Sequence, residues 1–307
     1  MKKTLITGGS GLLAVNWACY ARASSNVTLG THRHAVMLDG VNAIHISLES
    51  EAEVSDAIKS TGAQLVIHTA GYTNVDECEL HPDHANNINC ELAANVAAAC
   101  RQADIKLVHI STDHLFSGIN PYETELSASS PINAYAISKL NAENKVIQLN
   151  PDALIIRTNF FGWGHPGRQS FSDWIYYSLE KKQQIKLFDD VFFTPILIDT
   201  LAAQVTALLN RNASGIFNVV SDERISKYEF GLRLADAFGF PKDSISAGSI
   251  NNLTLPAMRP KDMSLSNAKL KQFLGVQPIS IDQQLMQLKS QLEDGRANEI
   301  KNAIREI

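Results

Sequence analysis

Near its start the chain runs Thr4-Leu5-Ile6-Thr7, a short apolar and β-branched segment, directly into Gly8-Gly9-Ser10-Gly11-Leu12-Leu13-Ala14 and a helical stretch through Ala21. A strand that breaks at a glycine turn and at once begins a helix aims backbone N–H groups and the positive helix end at one point, where a diphosphate can sit. Gly8 supplies the tight turn and Gly11 lets backbone approach a phosphate, with Ser10, Leu12 and Leu13 completing the turn. Ala14 stands where helix and strand must pack closely. An ordinary strand–turn–helix corner is the bland alternative, and the rest of the chain decides between them.

The first half alternates brief runs rich in Val, Ile and Leu (27–31, 43–46, 65–68, 106–111, 153–157) with helical candidates at 49–59, 82–103 and 134–149. Apolar strands separated by helices predict a parallel sheet covered on both faces. Right-handed crossovers make that an α/β, Rossmann-type doubly wound sheet with its ligand crevice at the C-terminal strand ends. The second half is less regular. Residues 171–181 and 196–209 read as helices and 216–220 as a late strand. Ser226 is placed to cap a helix through Phe238, with Glu229 completing a capping box. Segments 185–195 and 247–260 read as loops or short strands, and the tail after Ser280 as polar helix interrupted at Gly295. The expected division is a dinucleotide-binding domain of residues 1–161 and 194–222 and a smaller substrate-binding lobe of residues 162–193 and 223–307.

The 45% apolar content suffices for a core in 307 residues, and no stretch reaches the roughly 18 apolar residues of a membrane span. A formal charge of −5 and a pI near 6.0 argue against binding nucleic acid through the overall field. No basic-then-apolar leader precedes Thr4, so no export signal is expected. Cys19, Cys78, Cys90 and Cys100 form no Cys-x-x-Cys pattern. They read as reduced, buried hydrophobes of a cytoplasmic protein, and no metal site is expected.

Tyr135 and Lys139 lie four residues apart, so on a helix a phenol and an ammonium share one face. The lysine charge is expected to lower the phenol pKa, and such a phenol can exchange a proton with a carbonyl oxygen. Alone, a Tyr-x-x-x-Lys pair arises by chance in many helices; its weight comes from its setting. The strand 106–111 runs into Thr112, whose hydroxyl would stand at the mouth of the crevice and hydrogen-bond a substrate oxygen. The strand 65–68 runs into Thr69-Ala70-Gly71, small residues that let a dinucleotide lie close to backbone. Gly30-Thr31-His32-Arg33 follows the second strand and lacks the acidic residue that receives the adenosine ribose of NAD. Arg33 could instead grip the 2′-phosphate of NADP in bidentate fashion, the alternative being a solvated loop arginine. NADP(H) is therefore expected ahead of NAD(H).

On these residues the chain resembles an extended short-chain dehydrogenase/reductase and, within that superfamily, the dTDP-4-dehydrorhamnose reductase family. The matching pieces are Gly8-x-x-Gly11-x-x-Ala14, Ala70-Gly71-Tyr72-Thr73-Asn74-Val75-Asp76, Asn87-Ile88-Asn89 and Ser111-Thr112-Asp113-His114-Leu115-Phe116. To these add Ser130-Pro131-Ile132-Asn133-Ala134-Tyr135-Ala136-Ile137-Ser138-Lys139, Arg157-Thr158-Asn159, and Arg259-Pro260 followed by Leu265-Ser266. Coverage is nearly end to end.

The resemblance implies NADPH-dependent reduction of the C4 ketone of a nucleotide-linked 4-keto-6-deoxysugar, in sugar synthesis for surface polysaccharides, by an enzyme that is often a homodimer. Tyr135 would donate the proton, Lys139 would bind the nicotinamide ribose and depress the Tyr135 pKa, and Thr112 would polarise the carbonyl. Asn89 resembles the residue that braces the strand carrying Thr112, and Thr73 and Val75 match positions lining the sugar site. Asp113, His114, Asn159 and Phe160 are further substrate candidates. Arg168 and Arg259 are candidates for diphosphate contacts, with solvated surface arginines as the alternative. The sequence departs from the family pattern at His114, Asn159 and Phe160, where Tyr, Ser and Trp are common, and in Ser47-Leu48, where an acidic adenine contact is expected. An epimerase or dehydratase with retained cofactor stays open, although Asp113 is one carboxylate where a dehydratase commonly wants two. So does a non-catalytic NADP-binding subunit resembling the β regulatory subunit of methionine adenosyltransferase.

Overall fold

The computed structural model describes residues 1–277 and 279–305. Its centre is a seven-stranded sheet of β1 (Lys2–Thr7), β2 (Ser25–Thr31), β3 (Asn42–His45), β4 (Leu65–His68), β5 (Lys106–Ile110), β6 (Leu154–Arg157) and β7 (Gly215–Asn218). The order is β7-β6-β5-β4-β1-β2-β3, with every neighbouring pair parallel. The chain winds one way from β1 to β3 and the other way from β4 onward. The topological switch therefore lies between β1 and β4, where Thr7 is in register with His68, and the crevice expected of a doubly wound sheet opens there.

The pleat sorts side chains between two cores. Ile6, Ile67, Val108 and Ile156 pack on one face with α1 (Leu12–Ala21) and with the helix Ile198–Asn210. Leu5, Val66, Leu107 and Ile155 pack on the other under α2 (Glu51–Thr61), α3 (Leu92–Gln102) and α4 (Ala134–Leu149). Ser50 and Asn133 start α2 and α4 by accepting from the N–H groups of Glu53 and Ala136, which satisfies donors that a helix start leaves free. Beyond the sheet, α5 (Phe171–Glu180) packs against α6 (Lys227–Phe238), which itself packs on short strand pairs. Ile185–Phe188 runs parallel to Ile245–Gly248, and Phe192–Phe193 antiparallel to Ile225–Ser226. No described helix is long and apolar enough to cross a membrane.

Some elements differ from the sequence reading. Residues 82–103 are not one α-helix: Pro82–Asn86 is followed by a π-helical segment, Asn87–Glu91, and only then by α3. The wider turn swings Asn89 inward, where it is fully buried. Residues 196–197 form a short strand parallel to Phe160–Phe161, and the helix begins at Ile198 because the Gln284 side chain accepts from the Leu197 N–H at 2.7 Å. Ser226 does cap α6 by accepting from the Glu229 N–H. The box stays half-made because the Glu229 carboxylate accepts from Arg233 one turn on. Gly295, at φ 89°, breaks the tail as expected and starts α7 (Arg296–Asn302).

Candidate active site

A cleft of about 780 Å³ opens at the C-terminal ends of the strands, a size suited to a bound cofactor or ligand. At its floor Gly9 donates to the Gly30 carbonyl and Gly11 to the Gly8 carbonyl, both at 2.8 Å. Gly8 has φ 70°, and a Cβ there would stand 2.7 Å from Ala70 Cα, so only glycine makes this turn. No side chain caps α1, and no acidic residue sits in its first turn. A helix start so left can give its N–H groups and positive end to a diphosphate. Thr69 seals the turn by donating to the Thr7 carbonyl at 2.6 Å. Arg33, exposed, lines the far end with His32, His34, Ser47, Leu48 and Glu49.

The opposite wall carries Thr112, Tyr135 and Lys139, each buried. Burial pushes the Tyr135 phenol up to about 12; the Thr112 hydroxyl and, more weakly, Arg168 pull it down. Lys139 does not figure among the groups acting on the phenol, so the expected depression is not found; its ammonium donates instead to the Ile110 carbonyl at 2.7 Å. Burial also lowers Lys139 to about 8, with Glu143 acting against that shift. Thr112 Oγ1 lies 3.3 Å from Asp113 Oδ1 and accepts from the His114 N–H at 3.3 Å. Asn159 donates to the other Asp113 oxygen. The His114 ring meets Tyr135 edge-on at 5.6 Å, and burial keeps its pKa below the usual histidine range despite Asp113.

Every other candidate from the sequence also lines this cleft, Ser10, Leu12, Leu13, Gly71, Thr73, Val75, Phe160 and Arg168 included; Arg259 does not. It pairs with Asp76 at 2.9 Å and donates to the Ala257 carbonyl, which holds its guanidinium behind the wall. Arg168 donates to Thr73 across the opening. His165, on the same loop, bonds through Nε2 to the Ser10 carbonyl at 3.0 Å. A carbonyl only accepts, so Nε2 carries the proton. The loop therefore ties the glycine turn to the Thr73 side.

The sequence pointed to Asn89 but to the wrong partner for it, and it gave no sign of Lys227 or of a His68–His109 pair. Asn89 accepts from the Tyr72 N–H at 2.7 Å and donates to the Tyr72 carbonyl and to Ser138. It thus braces the loop after β4 and helix α4 rather than the strand carrying Thr112. Lys227, the first residue of α6, lies over the Phe193 ring at 3.4 Å. Burial lowers it to about 8 while Asp113 acts to raise it. A buried histidine pair, His68 and His109, stacks at 5.5 Å below the Lys139 end. All four cysteines are free and buried. No group of three or more His, Cys, Asp or Glu among the described residues could hold a metal.

Comparison with known proteins places this arrangement. A Haloferax volcanii protein described as a low-salt glycan biosynthesis reductase is 28% identical over 94% of this chain and 98% of its own length. The mouse methionine adenosyltransferase 2 subunit beta is 28% identical over 88% of this chain and 82% of its own. A Streptomyces niveus dTDP-4-keto-6-deoxy-D-glucose reductase is 27% identical over 80% and 85%. The crystal structure of dTDP-4-dehydrorhamnose reductase from Bacillus anthracis in complex with NADP shares the fold, with TM-score 0.82, 23% identity and coverage of 95% of this chain and 100% of that one. The family described as RmlD substrate binding domain matches residues 1–293, and this chain, with its extended short-chain dehydrogenase/reductase fold, belongs to that family.

Proposed function

We propose that this oxidoreductase uses NADPH to reduce the C4 ketone of a nucleotide-linked 4-keto-6-deoxysugar. One observation carries the reading: Thr112, Tyr135 and Lys139 line the same cleft as an uncapped glycine turn. Residues 1–161 and 194–222 would hold the dinucleotide, and residues 162–193 and 223–307 the sugar nucleotide. Gly8, Ser10, Gly11, Leu12, Leu13, Thr69, Ala70 and Gly71 would meet the diphosphate and its riboses, with Arg33 at the 2′-phosphate. The reading expects a cytoplasmic homodimer serving sugar synthesis for surface polysaccharides.

NADPH, when bound, supplies the hydride to the carbonyl carbon. The chain supplies the proton and the field around it. Tyr135 gives its hydroxyl proton to the carbonyl oxygen as charge grows there, and Thr112 donates a hydrogen bond to that oxygen. A phenol held near 12 keeps its proton through the neutral range and still yields it to a more basic sugar alkoxide. Lys139, one turn away, offsets the phenolate left behind. Arg168 acts on Tyr135 and Lys227 on His114 as positive charges, which suits a substrate bearing a diphosphate.

The test is a panel of nucleotide keto-sugars assayed by loss of NADPH absorbance. Turnover of a 4-keto-6-deoxysugar with one NADPH consumed per alcohol formed supports the reading, and sugar conversion without net NADPH use points to an epimerase or dehydratase. The similarity to the mouse methionine adenosyltransferase subunit favours a second reading, a subunit that binds NADP and a synthetase without turnover. The intact Thr112, Tyr135 and Lys139 weigh against it. Copurification with a synthetase and no turnover on any keto-sugar would establish it.

A further inference from the structure

The family match ends at residue 293, and the segment beyond it is fastened to the loop carrying Arg33. Ile304–Arg305 pairs antiparallel with Ala35–Val36, and the Met37 N–H donates to the Ala303 carbonyl at 2.8 Å. In α7, the Glu299 carboxylate accepts from both terminal nitrogens of Arg22, at 2.7 Å for Nη2, and from the Asp39 N–H at 3.3 Å. Arg22 also donates to the Asp39 carbonyl at 2.9 Å. The helix itself is anchored by Arg296, whose fork holds Asp199 at 2.6 and 2.9 Å and donates to the Asn16 carbonyl on α1. The loop between β2 and β3, already anchored by Val36 and Leu38 in the core, is thus also held along one side by residues 299–305.

We propose that Glu299 is a positioning residue for cofactor selectivity: with Arg22 it fixes the backbone that presents Arg33 to the 2′-phosphate. The inference rests on the reading of Arg33 given above. A bidentate arginine grip is angular as well as electrostatic, so its strength depends on how much loop freedom is lost on binding. The mutual pull is visible in both partners: the Arg22 hydrogen bonds hold Glu299 below the usual carboxylate range, and Glu299 raises Arg22. Both side chains are about a quarter exposed, 27% and 25%, so removing either leaves no buried unpaired charge and the fold should survive.

The experiment uses the full chain with Glu299→Ala, Glu299→Gln and Arg33→Ala, reading NADPH and NADH dissociation constants by fluorescence titration and amide exchange across residues 33–41. Glu299→Ala should weaken NADPH about two- to fivefold, the range of a partly exposed ion pair, while leaving NADH affinity and kcat unchanged and speeding exchange at Met37 and Asp39. Glu299→Gln, which still accepts from Asp39, should fall between. Faster exchange with unaltered selectivity, or equal loss of NADPH and NADH, overturns the proposal. Arg33→Ala separates the layers. If it shifts selectivity and Glu299→Ala does not, the clamp alone fails; if Arg33→Ala shifts nothing, both ideas fall.

Discussion

The Asn89 amide grips both backbone polar groups of Tyr72, accepting from its N–H at 2.7 Å and donating to its carbonyl at 3.0 Å. The same amide donates to Ser138 at 2.9 Å, one residue before Lys139. A single buried side chain therefore sets the spacing between the loop after β4, which carries Thr69 to Val75, and the helix that carries Tyr135 and Lys139.

Asn89→Ala leaves the part-buried Tyr72 N–H without its acceptor and its carbonyl with only the Cys78 thiol as donor, and a loss of this kind costs about 1–3 kcal/mol. Thermal unfolding should show a destabilisation of about that size. Reduction should fall further than stability explains, because the spacing of the two walls relaxes. Asn89→Asp keeps the acceptor and loses the donations, so it should recover part of both. A stable, fully active Asn89→Ala protein would show that the loop is fixed by other means.

Tyr135→Phe removes one hydroxyl from a buried ring that otherwise packs against Cys78 and Ala85. Loss of a positioned general acid typically costs about 10²–10⁴-fold. Steady-state turnover on a responsive keto-sugar should drop by that factor, with NADPH affinity by titration nearly unchanged. Equal turnover in the variant would remove Tyr135 from the mechanism.

His68 and His109 give a pH prediction. Burial drives His68 to about 3, with Lys139 adding to the shift. The same two causes, with His68, hold His109 well below the usual 6.5. From about pH 6.5 down to about 3 the unfolded chain takes up protons that the folded protein refuses, so stability rises with pH across that window and is lost on acidification. The loss reaches about 1.4 kcal/mol per pH unit for each histidine. Urea unfolding at about pH 7 and about pH 5 should show a fall in midpoint, and His109→Leu should reduce that slope. An unaltered slope would mean that His109 titrates normally.

Much of the fold and site was legible because it is written locally. Apolar runs of strand length, a glycine turn at residue 8 and a phenol four residues before an amine depend on neighbours in sequence, and all met in one cleft. What stayed hidden depends on partners far away. The π-helical turn at Asn87–Glu91 carries Asn89 to its partners Tyr72 and Ser138, and no periodicity within 82–103 announces that. The clamp of Glu299 on Arg22 spans 277 positions. Lys227 reads in sequence as a first-turn helix residue, and only the fold sets it over Phe193. The Tyr135 pKa was misjudged because the helical spacing shows the ammonium but not the burial.

Arg157 and Glu143 form an ion pair inside the core, 3% and 1% exposed, with Nε donating to Oε1 at 3.0 Å and Nη2 to Oε2 at 2.7 Å. Arg157→Met strands the carboxylate, which should cost about 3–5 kcal/mol in denaturant unfolding. Replacing both, as Arg157→Met with Glu143→Leu, should return most of that stability, because a buried pair is worth little net of its desolvation. The repaired core isolates a second role. Glu143 lies one turn beyond Lys139 and helps hold it charged against burial, at about 8; without that carboxylate the lysine loses its proton at lower pH. The stable double variant should therefore keep its fold while the alkaline fall in reduction moves to lower pH. An unmoved limb would leave the pair a purely structural strut and free Lys139 of any dependence on it.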